Sequence, residues 1–187
     1  IKELDSVAEV HIIAVENEVK ELLWILHKNF AGKPKIKTIN FEKKAVQSFE
    51  ASSSEEWKME FSAPQTYLFK PNAAIQKSGL FAELAHQTQT KKLHPNSHIF
   101  TSEDIIDFPG RKFQIIDSMP FNNNDLKKKL KGIKANVTTR NFPESVENIR
   151  KKFKIKEGGK TYLFFTTGPG EQKLVIFCEK LNDDLKN

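Results

Sequence analysis

The 187-residue sequence is poor in cysteine, in long apolar runs and in glycine-rich loops, and each shortage excludes a class of protein. Its one cysteine, Cys178, rules out a disulfide within the chain and a zinc site made of several thiolates. No apolar run approaches the roughly 18 residues that a membrane-spanning helix needs, so we expect no membrane partner. A lone thiol fits a reducing compartment, and we expect a cytoplasmic protein.

The common glycine-rich nucleotide-binding motifs are also missing. No Walker A lysine loop occurs, and no G-x-G-x-x-G follows a predicted strand. The glycine clusters at 158–160 and 168–170 lie between predicted elements, where the chain must change direction. They therefore indicate turns, and we predict no cofactor site within these residues.

Three groups of reactive side chains have an ordinary structural explanation. His94 and His98 have a helical metal-ligand spacing, but Pro95 lies between them and no third ligand is near, so we predict no metal site. The acidic cluster at 103–107 suggests acid–base chemistry, yet it fits a capped helical turn with its two isoleucines buried. Cys178 lies in an apolar strand and is predicted to be a core residue. We predict no catalytic residue.

The first fifty residues predict a β-α-β-β unit. Val10–Val15 is apolar and β-branched, as in a buried strand, and alternation predicts strands at Ile36–Phe41 and Ala45–Phe49. Asn17 is positioned to cap a helix, because the following apolar residues recur at the spacing of one buried helical face. Those residues are Val19, Leu22, Leu23 and Leu26. A strand and helix of this kind need a sheet beside them, so we interpret the unit as the end of a larger domain.

The middle of the chain predicts short elements after a domain boundary in the polar segment 51–64. Tyr67–Phe69 and His98–Thr101 are predicted strands. Pro71 suits the first turn of a helix, which Gly79 interrupts. A second helical stripe follows at Leu80, Phe81, Leu84 and Ala85.

The last third predicts the regular order βαβαββ. This order forms a small α+β sandwich with both helices on one face of the sheet. The predicted strands are Phe113–Ser118, Ala135–Arg140, Tyr162–Thr167 and Lys173–Glu179, and the predicted helices are Asn124–Leu130 and Pro143–Phe153.

The excess positive charge is confined to this last third. Residues 1–120 carry 15 Lys and Arg against 16 Asp and Glu, whereas residues 121–187 carry 15 against 8. A basic module suggests an anionic partner, most commonly nucleic acid, although a solvated lysine-rich surface remains an alternative. We name the candidate phosphate-binding residues the predicted basic face: Lys127, Lys128, Lys131, Arg140, Arg150, Lys151, Lys152 and Lys154.

Several motifs resemble one protein family. YLFKPNAAIQKSGLF, KKLHPNSHIFTSE, DFPGRKF and TTRNFPESVENIRKKFKIKEGGKTYLFFTT are similar to the C-terminal half of the Bacteroidetes THUMP-like-domain methyltransferases. In that family a class I S-adenosylmethionine-dependent methyltransferase domain precedes a ferredoxin-like domain and a THUMP-like domain. EVHIIAVENEVKELLWIL is similar to the last strands and helix of the methyltransferase sheet.

The resemblance implies an α+β fold in three parts. Residues 1–60 would be the remnant of a Rossmann-like methyltransferase sheet, residues 61–111 a ferredoxin-like domain, and residues 112–187 a THUMP-like domain. S-adenosylmethionine would bind to the N-terminal methyltransferase domain in cis, whose cofactor motifs have no match here, so no catalytic residue is carried over. THUMP domains of other enzymes bind RNA, commonly tRNA. The resemblance therefore implies an accessory region that presents RNA to a methyltransferase.

A second interpretation belongs to another class of protein. The chain would then be a protein-interaction or structural module that docks on the methyltransferase domain, without a role in nucleic-acid binding. In both interpretations the apolar side chains near the N-terminus lack most of the sheet on which they would pack, so we expect self-association as a dimer. These side chains are Leu22, Leu23, Trp24 and Leu26.

Overall fold

The computed structural model describes residues 6–52 and 56–181. Two compact units are built from interleaved segments of the chain. The described residues of the first unit come from Ile1–Met59, Pro71–Gln89 and Asp107–Gly110, and those of the second from Glu60–Lys70, Thr90–Ile106 and Arg111–Asn187.

Strands dominate both units. The strands are β1 Val7–Val15, β2 Glu18–Leu26, β3 Lys35–Phe41, β4 Val46–Ser52, β5 Tyr67–Pro71, β6 Lys91–Lys92, β7 Phe100–Ser102, β8 Gly110–Pro120, β9 Lys134–Arg140, β10 Lys156–Glu157, β11 Thr161–Thr167 and β12 Lys173–Lys180. The helices are α1 Ala73–Ser78, α2 Phe81–Thr88, α3 Asn123–Lys129 and α4 Val146–Phe153, and a 3₁₀ turn spans Pro169–Glu171. Within the described ranges, no helix is long and apolar enough to cross a membrane. The predicted mixed α+β class is confirmed.

The first unit contains a four-stranded sheet in the order β2-β1-β3-β4. β1 is parallel to β3, and the two outer pairs are antiparallel. One face of β1 is buried at Val10, Ile12 and Ala14, and α1 packs over β1 and β3 with Ala74 and Ile75 buried. The predicted strands that correspond to β1, β3 and β4 are confirmed.

The helix predicted after Asn17 is wrong, because Glu18–Leu26 is strand β2. It pairs along its length with β1; Trp24, for example, lies opposite Val10. The apolar side chains expected to lack a packing surface do lie exposed, but on a strand at the sheet edge. Their exposed fractions range from 40% to 56% in Leu22, Leu23, Trp24 and Leu26.

A two-residue turn explains this correction. Glu16 and Asn17 have φ values of 49° and 65°, as in a type I′ turn, which suits the twist of a β-hairpin. Asn17 therefore does not cap a helix in the residues that follow it. Its backbone N–H donates to Asn40 Oδ1 at 3.0 Å, and its own Oδ1 accepts the N–H of Ala73 at 2.9 Å. Long-range pairing with β1 outweighs the helical spacing of the apolar residues.

The second unit contains an eight-stranded sheet in the order β10-β9-β11-β12-β8-β5-β7-β6. β9 is parallel to β11, and α4 lies between them in the chain. β12 is antiparallel to both β11 and β8, so it lies between them. From β8 to β12 the elements follow the predicted βαβαββ order, with the two-residue strand β10 added. That prediction is confirmed.

The two faces of this sheet have different cores. On the face covered by α3 and α4, four helix-derived side chains pack against four from β11 and β12: Leu126, Leu130, Ile149, Phe153, Leu163, Phe165, Val175 and Phe177. Alternate residues such as Phe164 and Ile176 point to the other side, where they pack with Leu68, Leu93 and Ile99. We call the first side the helix face and the second the strand face.

Two smaller predictions are corrected and one is confirmed. Pro71 does not lie in the first turn of a helix, as predicted, but ends β5. Asn72 caps α1 with its side-chain oxygen. The acidic cluster at 103–107 forms a bend without a helix, and Ile105 is 49% exposed. Cys178 is a buried core residue, as predicted, and burial raises the pKa of its thiol.

Candidate anion-binding surfaces

Helix α3 supplies the first part of the predicted basic face. Leu126 is buried in the helix-face core, which leaves the neighbouring lysines outside. Lys129 forms an ion pair with Asp117, and this hydrogen bond lowers the pKa of the Asp117 carboxyl. The candidate residues around α3 that are exposed to solvent are Lys127, Lys128 and Lys131.

Acidic side chains neutralise much of the charge on α4. Lys151 Nζ lies 2.8 Å from Glu147, one helical turn earlier, and Lys152 Nζ lies 2.7 Å from Glu144. Exposed pairs of this kind stabilise a protein by at most about 1 kcal/mol. They are therefore weak enough to exchange for a phosphate, but they reduce the local positive potential.

The other two candidates on α4 differ in exposure. Arg150 is half-buried, with Nη2 at 3.8 Å from Glu157 Oε1. Its Nη1 is buried without a hydrogen-bond partner among the residues that the structure describes. Lys154 ends the helix with a φ of 55° and is exposed.

Arg140 lies on the strand face, apart from the candidate residues of α3 and α4. In the parallel register of β9 and β11, Arg140 is opposite Thr166. Thr166 is two residues beyond Phe164, which belongs to the strand-face core, so both side chains share that side of the sheet. The structure therefore divides the predicted basic face into residues of the helices and one residue of the strand face.

Other cations accompany Arg140 on the strand face. Lys70 is two residues beyond Leu68, and Arg111 is two residues before Phe113; both neighbours belong to the strand-face core. The charges of Arg140 and Arg111 both act on Lys70, and those of Lys92 and Arg140 both act on His98. We call the cations that the register places on this face the strand-face cation cluster: Lys70, Arg111 and Arg140. Lys92 lies opposite Phe100, which in turn lies opposite Phe69, so Lys92 is on the other face.

The pKa values of Lys70, Lys92 and His98 are all lowered. Burial, followed by repulsion from Arg140 and Arg111, lowers the pKa of Lys70 to about 8. Burial also lowers the pKa of Lys92 to about 8. The pKa of His98 is lowered by burial and then by the charges of Lys92 and Arg140. Desolvation, and like charges where they are present, disfavour the charged form of each group.

A hydrogen-bond network borders the cluster. His94 is buried, and its Nε2 lies 2.6 Å from Glu171 Oε1. Its Nδ1 accepts the backbone N–H of Asn96 at 3.1 Å and contacts the Asn141 amide nitrogen at 2.9 Å. Because Nδ1 is an acceptor, the ring hydrogen is on Nε2 and is donated to Glu171, which lowers the pKa of that carboxyl. Thr167 extends the network by donating to the carbonyl of Asn141.

The backbone around this network is strained at three non-glycine residues. His98, Asn141 and Glu171 have φ values of 51°, 49° and 61°, in the left-handed region. Such conformations cost of the order of 1 kcal/mol or more and concentrate at functional sites when the surroundings hold them in place. The contacts of His94 with Asn141 and Glu171 are part of what holds this segment.

The described residues do not form a metal site. Within residues 6–52 and 56–181, no group of three or more His, Cys, Asp and Glu side chains lies close enough together to hold an ion. His94 contacts Glu171, and His98 contacts the ammonium of Lys92 at 3.3 Å. The two histidines, four residues apart, therefore make separate contacts and are not brought together as metal ligands.

The described residues also do not fit S-adenosylmethionine. A nucleotide cofactor in such sheets binds beyond the carboxyl ends of parallel strands, where a strand enters a helix. The parallel strands β1 and β3 end at Val15 and Phe41 and each continues through a turn into an antiparallel strand. These turns contain no glycine and begin no helix. We assign no step to this cofactor.

Comparisons with known proteins agree with this architecture. Residues 67–109 match a family model described as a ferredoxin-like domain, and residues 110–180 match one described as THUMP domain-like. The chain is similar to a crystal structure of a "putative methyltransferase" from Porphyromonas gingivalis W83, with 33% sequence identity and a TM-score of 0.89. The match covers 97% of this chain and 47% of that chain, so this chain spans about half of its length. No curated protein matches the sequence.

Most of the strand-face cation cluster is not evident from the sequence. The predicted basic face includes Arg140 but neither Lys70 nor Arg111. A signal was present, because the segments LFK and RKF place a cation two residues from an apolar core residue on a strand. What the sequence lacks is the strand order, which brings β5, β8 and β9 into one sheet.

Proposed function

We propose that this chain is the C-terminal accessory region of an S-adenosylmethionine-dependent RNA methyltransferase, and that its second unit binds RNA. The observation that carries the proposal is the concentration of cations on a THUMP-like domain. Exposed lysines lie on α3 and just after it, and further cations lie on α4. The strand-face cation cluster lies on the other face of the sheet. RNA is the polyanion that this fold and charge suggest together.

The methyltransferase part of the proposal concerns residues outside the second unit. In this account residues 1–60 are the end of a Rossmann-like methyltransferase domain that binds the cofactor in cis. The parallel pair β1–β3 is consistent with such a remnant, because parallel strands are usual in that fold. The similarity to the Porphyromonas protein, of which this chain spans about half, supports it as well. Residues 61–111 and 112–187 are then the ferredoxin-like and THUMP-like domains.

RNA binding by the helices is tested by charge reversal. The test variant changes Lys128, Lys151 and Lys152 to Glu, and the control changes Lys20, Lys33 and Lys43 of the first unit to Glu. Both variants lose the same charge, so they separate a local contact from the net charge of the chain. If five cations contact phosphates, log K should fall against log salt with a slope of about −3.5 to −4.5 in the wild type.

The expected result is a weaker affinity and a flatter salt slope in the test variant for all structured RNAs alike, with little change in the control. Both variants should remain folded, because exposed substitutions usually change stability by about 0.5 kcal/mol or less each. Absence of RNA binding at low salt would contradict the proposal.

A second candidate function is favoured by strand β2. Its exposed apolar side chains, Leu22, Leu23, Trp24 and Leu26, suit a protein interface better than a solvated surface. In this alternative the chain docks on a methyltransferase domain and does not bind nucleic acid. It predicts that the chain captures a separately supplied methyltransferase domain of the Porphyromonas type, and that Leu22→Lys and Leu26→Lys abolish capture while RNA has no effect.

A further inference from the structure

The first unit carries a stacked pair of rings at its surface. The indole of Trp57 and the imidazole of His86 lie with their centroids 3.4 Å apart and their planes at 25° to each other. Trp57 is 40% exposed, and His86 is exposed as well. Both residues belong to the first unit, so the pair is complete within it. We call this pair the aromatic platform.

Helix α2 fixes one ring of the platform. Leu84 and Ala85, the two residues before His86, are buried, and the backbone N–H of Gln89 closes the helix on the carbonyl oxygens of Ala85 and His86. Trp57, in contrast, lies in a segment without regular secondary structure. The stack therefore holds the indole against a ring that a helix positions, and the platform is formed before any ligand binds.

Part of the indole is left in contact with water. The imidazole occupies one face of the Trp57 ring, and Trp57 makes no second ring contact among the residues that the structure describes. With 40% of the residue exposed, π surface of the indole is open to solvent. Apolar ring surface in water is less favourable than the same surface in contact with another ring, so a flat aromatic ligand would gain free energy by stacking there.

A nucleotide of RNA matches the chemistry beside the platform. Lys58 follows Trp57, is exposed, and forms no ion pair with another described residue, whereas the acidic residues Glu56 and Glu60 have contacts of their own. A nucleotide brings a flat base for the indole and a phosphate for this ammonium. Bases are free to stack on a protein only where they are unpaired, so the matching ligand is single-stranded.

We propose that the aromatic platform binds one base of single-stranded RNA by stacking on Trp57, with Lys58 at the phosphate beside that base. This inference rests on the proposed RNA binding for the class of ligand. It adds a base contact in the first unit to the phosphate contacts proposed for the second. Every base has a π-face, so the platform contributes affinity for unpaired nucleotides without selecting a sequence.

Tryptophan fluorescence measures the occupancy of the platform. The sequence contains two tryptophans, so Trp24→Phe leaves Trp57 as the single fluorescent indole in the full chain. The probes are a single-stranded RNA of about eight nucleotides, a duplex of the same length, and a strand of the same length without bases. The single strand should quench Trp57 in a saturable manner. The duplex keeps its bases stacked inside and the abasic strand has none, so neither should quench.

The affinity of variants is measured with a fluorescent label on the RNA. Trp57→Leu should bind the single strand about tenfold more weakly, the usual loss for one stacked base, and Trp57→Phe should retain most of the affinity. His86→Leu should weaken binding while Trp57 is present, because it removes the supporting ring. Phe61→Leu is the matched control, because Phe61 is 45% exposed and makes no ring contact within the described residues.

The outcomes separate the platform from a structural contact and from the proposed function. If the stack only stabilises the fold, Trp57→Leu lowers the unfolding free energy in urea but binds the single strand as tightly as Phe61→Leu. That result, or RNA binding without quenching of Trp57, would overturn the platform and leave RNA binding by the second unit in place. Quenching that is unchanged when Lys128, Lys151 and Lys152 are replaced by Glu would support the platform and count against RNA binding by the second unit. Absence of binding to every RNA at low salt would overturn both.

Discussion

The ammonium of Lys92 lies 3.3 Å from Nδ1 of His98 and donates to the carbonyl oxygen of Pro95 at 2.7 Å. The lysine is almost fully buried, and burial is the cause that lowers its pKa. This environment favours the neutral amine more than water does.

Stability should therefore rise with pH between about pH 7 and pH 8.5. The pKa of Lys70 and that of Lys92 are each lowered from 10.5 to about 8 in the folded chain. As the pH passes 8, the folded state loses protons that the unfolded state keeps, and the unfolding free energy increases. The neighbouring charges that act on Lys70, those of Arg140 and Arg111, lower its pKa in the same direction as burial does.

Urea unfolding at about pH 7 and about pH 8.5 measures the change in the unfolding free energy. Lys70→Met should show a smaller rise than the wild type, and Lys160→Met should show the full rise. The range stops near pH 8.5 because burial raises the pKa of Cys178, which opposes the lysines at higher pH. A stability that is flat or falling over this range would refute the low pKa values.

The core of the helix face should depend strongly on Phe165. Its ring is fully buried and lies 5.6 Å from the ring of Phe142 and 6.3 Å from those of Phe121 and Phe153. Phe165→Ala should lower the unfolding free energy by about 3–5 kcal/mol, because it removes apolar burial and leaves a cavity. The control Phe61→Ala, at a residue that is 45% exposed, should cost about 1 kcal/mol or less. Similar losses at both positions in urea unfolding would contradict this core.

Helix α4 should depend on its cap. The Ser145 hydroxyl oxygen accepts the backbone N–H of Asn148 at 3.2 Å. Ser145→Ala should cost about 1 kcal/mol, the usual loss for such a cap, and Ser145→Asp should retain most of the stability. Ser118→Ala, at an exposed strand position, serves as the control. Equal stability of Ser145→Ala and the wild type in urea unfolding would show that the cap is dispensable.

The edge strand β2 should cause self-association. Leu26 is 56% exposed and lies beside other exposed apolar residues of β2. Leu26→Lys should shift sedimentation towards the monomer, because a charge at an edge strand opposes pairing between copies. The control Val46→Lys adds the same charge at the other edge, where Val46 is 61% exposed. A wild-type chain that is monomeric at high concentration, or equal effects of both variants, would remove β2 as the contact.

The sequence was most informative where each local signal agreed with the final sheet. The βαβαββ order is predictable because the apolar period changes from one element to the next, as between the predicted strand Ala135–Arg140 and the predicted helix Pro143–Phe153. The prediction for the N-terminal hairpin was wrong for the opposite reason. The spacing of Val19, Leu22 and Leu23 satisfies a helical period, while pairing with β1 and the left-handed turn at Asn17 decide the structure.

The candidate site was partly predictable for a related reason. Lysines on α3 are visible because helical positions near Leu126 can be assigned to an outer surface from the sequence. Lys70, Arg111 and Arg140 come from three strands that are distant in the chain, and the sequence does not show that the charges of the two arginines act on Lys70. The repulsion between their charges therefore cannot be predicted from any one segment of the sequence.

The position of β12 has a consequence for synthesis on the ribosome. β12 lies between β8 and β11 in the sheet. β8 therefore cannot be joined to β11 and β9 until Lys173–Lys180 has been made. A nascent chain that ends before Lys173 would leave Phe164 and Phe165 without their neighbours on β12, Ile176 and Val175. Pairing between strands that are far apart in the sequence is slow, and the surface that stays exposed until β12 pairs is apolar. This unit should therefore acquire protease resistance abruptly, once β12 has left the ribosome, and nascent chains that lack β12 should be the ones that bind chaperones.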